Sequence, residues 1–259
     1  MYKSSDKERS MHKSSDKGRS MYKRWPNMGD SDIYKVDIPP KQIYAEAYTR
    51  EPVHYDKNQI ELCPKCGAYL SGMKWVGEKT CTIYRKALPD FLYIYGGTDY
   101  FVISEKALTT LQENGIKGIK GTEKVDKIFY RKVPIEPTYY ILELERLDCP
   151  IDHEHSNFVY FDEPHEHSCS LCDPMGRMTH ECFGFCFKPG TQITMDIFHI
   201  YEMGGAIFLS DRFLKVCEEN GLTGLSCHKI TEYYEGVFNT EEKVERALRK
   251  SRKIMGWEQ

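Results

Sequence analysis

Residues 90–119 read DFLYIYGGTDYFVISEKALTTLQENGIKGI, and residues 196–225 read DIFHIYEMGGAIFLSDRFLKVCEENGLTGL. At a constant spacing of 106, nine of the thirty positions are identical, among them Asp90/Asp196, Ser104/Ser210, Asn114/Asn220, Gly115/Gly221 and Gly118/Gly224. Each segment carries the same local signals. A run of apolar, β-branched or aromatic residues at 100–103 or 206–209 predicts a buried strand. Ser104 or Ser210 then offers an oxygen to the orphan amides of a helix, and Glu105 or Asp211 suits the positive end of its dipole. Leu108 and Leu111, or Leu214 and Cys217, recur at helical spacing and face a core. Asn-Gly ends the helix, because glycine enters the left-handed region without steric penalty. A short strand is expected next, over 116–119 or 222–225.

The same spacing carries Cys63 and Cys66 onto Cys169 and Cys172. Two independent features therefore share one offset, which a common ancestor of the two segments explains better than chance. The predicted fold is α+β, built of two related halves. Each half holds a Cys-x-x-Cys knuckle, short strands and a strand–helix–strand unit. The expected boundaries are 31–135 and 136–259, with the halves packed as one unit. Further strands are predicted over 125–133 and 139–147, around a turn at Pro134 and Pro137. Thr240 is placed to cap a closing helix from Glu241 to about Lys253. Ahead of all this, residues 1–20 are a tandem decapeptide that starts a third time at Met21. So little apolar material cannot offset the entropy cost of folding, so residues 1–30 are expected to form a disordered basic arm.

In Leu62-Cys63-Pro64-Lys65-Cys66-Gly67, two thiols three positions apart can converge on one metal across a tight turn. Pro64 fixes φ early in that turn and Gly67 allows φ above zero after it. One knuckle supplies two ligands, and a closed tetrahedral site needs four. Three completions compete. The knuckles can join as Cys63, Cys66, Cys169 and Cys172 around one shared zinc. The second half can close its own site with Cys182 and Cys186. Histidine can be recruited from His153, His155, His165, His167 or His180. The shared offset favours the first, with zinc as the cofactor. Cys217 is expected in the core, and Cys81, Cys149 and Cys227 as buried thiols. No His-Glu-x-x-His or comparable catalytic pattern occurs, so no enzyme activity is expected.

The chain has 259 residues, 40% of them hydrophobic, which is ample for a core without disulfides. Its apolar runs are too short to span a bilayer, and the N-terminus lacks an apolar signal core, so a cytoplasmic location is expected. The net charge is −3, but residues 1–24 hold eight Lys/Arg against three Asp/Glu, leaving −8 for the remainder. That balance disfavours nucleic acid as a partner. From 136 to 172, nine Asp/Glu face the single Arg146.

Taken together, the Cys63–Gly67 knuckle, segments 100–121 and 139–149, the second pair Cys169/Cys172 and segment 196–225 resemble the bacterial double-CXXCG motif family. The resemblance spans most of residues 33–230. Asp173 stands where Gly67 follows the first pair, and a glycine comes only at Gly176. Members of that family look like immunity proteins of toxin systems. The resemblance therefore implies a non-enzymatic protein that binds and neutralises a cognate toxin, such as a basic nuclease attracted by the acidic segment. The competing reading is a zinc-ribbon nucleic-acid binder or regulator that uses residues 1–24 as a basic arm.

Overall fold

The structure, a computed structural model, describes residues 22–24, 31–37, 46–49, 54–56, 60–71, 74–83, 88–95, 101–136, 138–234 and 241–257. Its first elements are the strands β1 (Tyr22–Arg24), β2 (Ile33–Val36), β3 (Glu46–Thr49), β4 (His54–Asp56), β5 (Lys74–Val76) and β6 (Thr80–Ile83). Then come β7 (Phe91–Tyr95), β8 (Phe101–Ser104), helix α1 (Glu105–Glu113), β9 (Ile119–Lys124), β10 (Lys127–Tyr130) and β11 (Val133–Ile135). The chain continues through β12 (Tyr139–Leu144), β13 (Arg146–Leu147), β14 (Phe158–Tyr160), β15 (Thr179–Cys182), β16 (Ile197–Ile200) and β17 (Phe208–Ser210). It closes with α2 (Asp211–Glu219), β18 (Cys227–Lys229), β19 (Glu232–Tyr234) and α3 (Glu241–Ile254). The class is α+β, as expected, and among the described residues no helix is long and apolar enough to cross a membrane.

The local signals act as read. Ser104 Oγ accepts from Ala107 N at 3.1 Å and Ser210 Oγ from Phe213 N at 3.1 Å, so both helices start on a serine cap. Asn114 and Asn220 close the helices, each donating its amide to a carbonyl four residues back, and Gly115 and Gly221 follow at φ 61° and 59°. On α2 the buried face is Phe213, Val216 and Cys217, with Leu214 only half-buried. The strands expected right after Asn-Gly start later, at Ile119 and Cys227, because the intervening glycines are pressed against other backbone. The strand expected over 125–133 is a hairpin instead: Arg131, at φ 58°, turns β10 back onto β11.

Two sheets form the body. One runs β11-β10-β6-β3-β7-β8-β12-β9, the other β13-β16-β17-β2-β18. The pairings match at the spacing of 106. Phe91 lies opposite Ile103 and Ile197 opposite Leu209; Tyr139 lies opposite Ser104 and Ile33 opposite Ser210. The boundary expected at 135/136 therefore does not separate the sheets. Strand β2, from the first half, inserts between β17 and β18, and β12, from the second, inserts between β8 and β9. Each crossing strand satisfies backbone groups that would otherwise lie along open sheet edges.

Buried carboxylates make the same exchange. Asp90 accepts from its own Ser104 Oγ at 2.7 Å and, from the other half, from Thr223 N at 2.8 Å and Thr223 Oγ1 at 3.0 Å. Asp196 accepts from Ser210 Oγ at 2.9 Å, Arg212 at 2.6 Å and, from the first half, Lys117 N at 2.9 Å. The neighbouring glycines explain why they are glycines. A Cβ on Gly118 would lie 1.8 Å from the Ile197 carbonyl oxygen, and one on Gly224 would lie 2.6 Å from that of Phe91. A single hydrophobic cluster consequently joins Phe91, Phe101, Ile103 and Leu111 to Val36, Ile197, Leu209 and Phe213.

The arm expected to be structureless over residues 1–30 needs one correction. Tyr22–Arg24 pair as β1 with β19, because the backbone of 232–234 offers them an edge. Residues 1–21 and 25–30 lie outside the described residues, as does the expected cap Thr240. The closing helix runs to Ile254, with Val244 and Leu248 buried.

Candidate metal centre

Each knuckle rises from a two-stranded hairpin, β4 with β5 for the first and β14 with β15 for the second. In the first, Gly67 N donates to Cys63 O at 2.8 Å, Cys63 N donates to Ala68 O at 2.7 Å, and Gly67 takes φ 74°. In the second, Asp173 N donates to Cys169 O at 2.8 Å, the equivalent bond 106 residues on. Here the left-handed residue comes three positions later, at Gly176, φ 59°, whose N–H is caught by Asp173 Oδ1 at 3.1 Å. Both turns close with the same backbone bond although a glycine follows only the first cysteine pair.

The four sulfurs of Cys63, Cys66, Cys169 and Cys172 lie within 4.8 Å of one another. Cys63 Sγ is 3.9 Å from Cys169 Sγ, and Cys66 Sγ is 3.5 Å from Cys172 Sγ. A tetrahedral ion held at the usual zinc–sulfur distance of about 2.3 Å spaces its sulfurs by about 3.8 Å. The gathered thiols therefore lie within about 1 Å of the spacing that one tetrahedral ion requires. Backbone amides help: N–H groups of Cys172 and Leu171 point at Cys169 and lower its thiol to about 6. For Cys66 the Ala68 amide and the Cys172 thiol favour the thiolate, but burial and the thiols of Cys63 and Cys169 oppose it, and the balance lies upward. Burial, with the same neighbours, pushes Cys172 up as well. A cation at the centre of such a group removes that mutual opposition.

The surroundings hold the knuckles together. Leu70, Ala68, Leu171 and Tyr201 pack around the cysteines, and Lys65 Nζ donates to Ser170 Oγ from one knuckle to the other. Arg146 is the deeper fastening. Its guanidinium, 4% exposed, donates to Ile200 O at 2.6 Å and Gly204 O at 2.9 Å, and pairs with Glu61 at 2.7 Å. That hydrogen bond, resisted by burial, holds the Glu61 carboxyl below its usual range. Gly204 is itself close-packed, since a Cβ there would lie 2.2 Å from Leu70 O. No local signal marks this fastening; along the chain Arg146 stands out only as the lone cation among nine acids.

Of the three completions weighed from sequence, only the joined knuckles gather their atoms among the described residues. Cys182 and Cys186 lie elsewhere, Cys186 beside Ser156, whose Oγ accepts its N–H at 3.1 Å. Three of the histidines pair with carboxylates instead: His155 with Asp152, His165 with Asp173 and His180 with Glu181. His153, its side chain 10% exposed, is held between Glu202 and the Tyr160 hydroxyl. Cys217, Cys81 and Cys149 are buried as expected, and Cys227 is half-buried. Neither a family model nor a curated protein matches the chain.

Proposed function

We propose that this chain is a non-enzymatic binding protein, folded around one structural zinc ion, that neutralises a cognate bacterial toxin in the cytoplasm. The observation that carries the zinc reading is the gathering of Cys63, Cys66, Cys169 and Cys172 within 4.8 Å. Four thiolates fill a tetrahedral ion and leave no open position for substrate or activated water, which fits a structural rather than a catalytic metal. We further infer that the chain is an internal duplication. The paired registers, serine caps, aspartate contacts and knuckle bonds all recur at one spacing, which supports that reading.

The toxin reading rests on the double-CXXCG resemblance and is supported by charge. Glu154, Asp162, Glu163 and Glu166 are exposed on or beside the second hairpin, a surface suited to steering a basic partner. Elemental analysis of purified protein should give one zinc per chain, and two or none would end the zinc reading. Co-expression with the product of the neighbouring gene should rescue growth through a tight, salt-sensitive complex. A neighbour that is harmless when expressed alone, in protein that does hold one zinc, would remove the toxin reading and leave the metal reading standing.

A further inference from the structure

The two thiol–thiol contacts at the metal centre both run between the knuckles, Cys63 to Cys169 and Cys66 to Cys172, each joining positions 106 residues apart. A disulfide needs its sulfurs at about 2.0 Å with the two Cα atoms within about 7 Å. The sulfurs are therefore short of bonding by less than about 2 Å, a gap that side-chain rotation and a small backbone adjustment close. Within each knuckle a backbone bond closes the turn, Gly67 N to Cys63 O and Asp173 N to Cys169 O, and all four sulfurs lie within 4.8 Å of one another. Cys66 and Cys172 are half-buried and open to a small oxidant, while Cys63 and Cys169 lie beneath them.

We propose that the centre is an interchangeable clasp: a hydroperoxide converts it to two disulfides between the knuckles, Cys66–Cys172 and then Cys63–Cys169, which release the metal and keep the halves joined. The proposal rests on the four-thiolate reading for the ion released, but not for the bonds formed. Hydrogen peroxide transfers one oxygen to the sulfur of Cys66 or Cys172, giving a sulfenic acid while the peroxide O–O bond breaks. The facing thiol attacks that sulfur, the S–S bond forms, and the oxygen leaves as water. A second peroxide does the same for the inner pair. In sum, four thiolates, two peroxides and four protons give two disulfides and four waters, and an ion held by the thiolates leaves with its charge unchanged. Each new bond ties two segments already packed in one cluster with Leu70 and Tyr201, so the local fold has no need to open.

The test uses the full chain, as isolated and after metal removal, with two equivalents of hydrogen peroxide. The free thiols should fall from ten to six, with release of whatever metal the isolated protein held. Non-reducing peptide maps identify the bonds cleanly. Trypsin cuts after Lys65 and separates Cys63 from Cys66, and chymotrypsin cuts after Leu171 and separates Cys169 from Cys172. The expected cross-links are 63–169 and 66–172, with Cys66→Ser retaining only the first. Bonds within a knuckle, a random mixture or stable sulfinic acids would overturn the proposal. Protein that is isolated without metal yet forms the cross-links would overturn the zinc reading alone. Protein that holds one zinc yet forms other bonds would overturn the clasp alone.

Discussion

Asp90→Ala tests the joining of the halves more directly than any change at the cysteines. The substitution removes an acceptor that holds Ser104 Oγ, Thr223 N and Thr223 Oγ1 at 2.7, 2.8 and 3.0 Å. Asp90 is 9% exposed, so little water replaces it. Losing hydrogen bonds to a charged acceptor costs about 1.5–3 kcal/mol, and a buried N–H left without a partner adds about 1–3 kcal/mol. Ser104 keeps its capping bond to Ala107 N, so the helix start is spared. A total of about 3 kcal/mol is therefore expected. In a chain of this size each kcal/mol lowers Tm by about 2–4 °C, so the melt should move down by about 6–12 °C. Circular dichroism measures the shift, and hydrogen exchange should show the Thr223 amide losing its protection. The exposed control Asp148→Ala should stay within about 0.5 kcal/mol of the parent. A shift below about 2 °C, or an unchanged Thr223 amide, would refute the claim that Asp90 fastens one half to the other.

Other outcomes follow from the same contacts. Gly118→Ala should destabilise by about 3 kcal/mol or more, since its Cβ meets the Ile197 carbonyl at 1.8 Å and φ is 109°. Gly221→Ala, with nothing within 4 Å of its Cβ, should cost only about 1–2 kcal/mol, and thermal melts compare the two. A strong chelator should raise hydrogen exchange in residues 60–71 and 169–176 while the sheet amides stay protected, because the cluster around Phe91 and Phe213 spans both halves without the metal. Loss of all protection on chelation would contradict this. Burial pushes the thiols of Cys81, Cys217 and Cys227 up to about 12. Above about pH 9 the unfolded chain ionises them and the folded chain does not, so stability should fall as pH rises toward 12. Each thiol contributes about 1.4 kcal/mol per pH unit, and Cys81→Ala should flatten the decline in melts taken from pH 8 to 11.

Local chemistry was legible wherever a signal sat within a few residues. Ser104 and Ser210 as caps, Asn-Gly as stops and the two Cys-x-x-Cys turns needed only nearest-neighbour geometry, and each appears where the pattern put it. The hairpin break at Arg131 was missed because a non-glycine residue at positive φ leaves no compositional mark. Leu214 packs against the core only half-buried, while Phe213 and Val216, which the spacing does not single out, are buried, since helical spacing gives a face but not how far it is turned inward.

What the residues decided alone is the alphabet of parts: strand, serine-capped helix, glycine stop, sulfur turn, and the spacing at which each recurs. Which part touches which was decided in three dimensions. Cys63 and Cys66 supply only half a site until the fold carries Cys169 and Cys172 to within 4.8 Å. Strand β2 crosses between β17 and β18 because the open edges it fills belong to partners far along the chain. Hydrogen bonding between backbones is blind to side-chain identity, so such exchanges are written in the packing and not in any local run of letters.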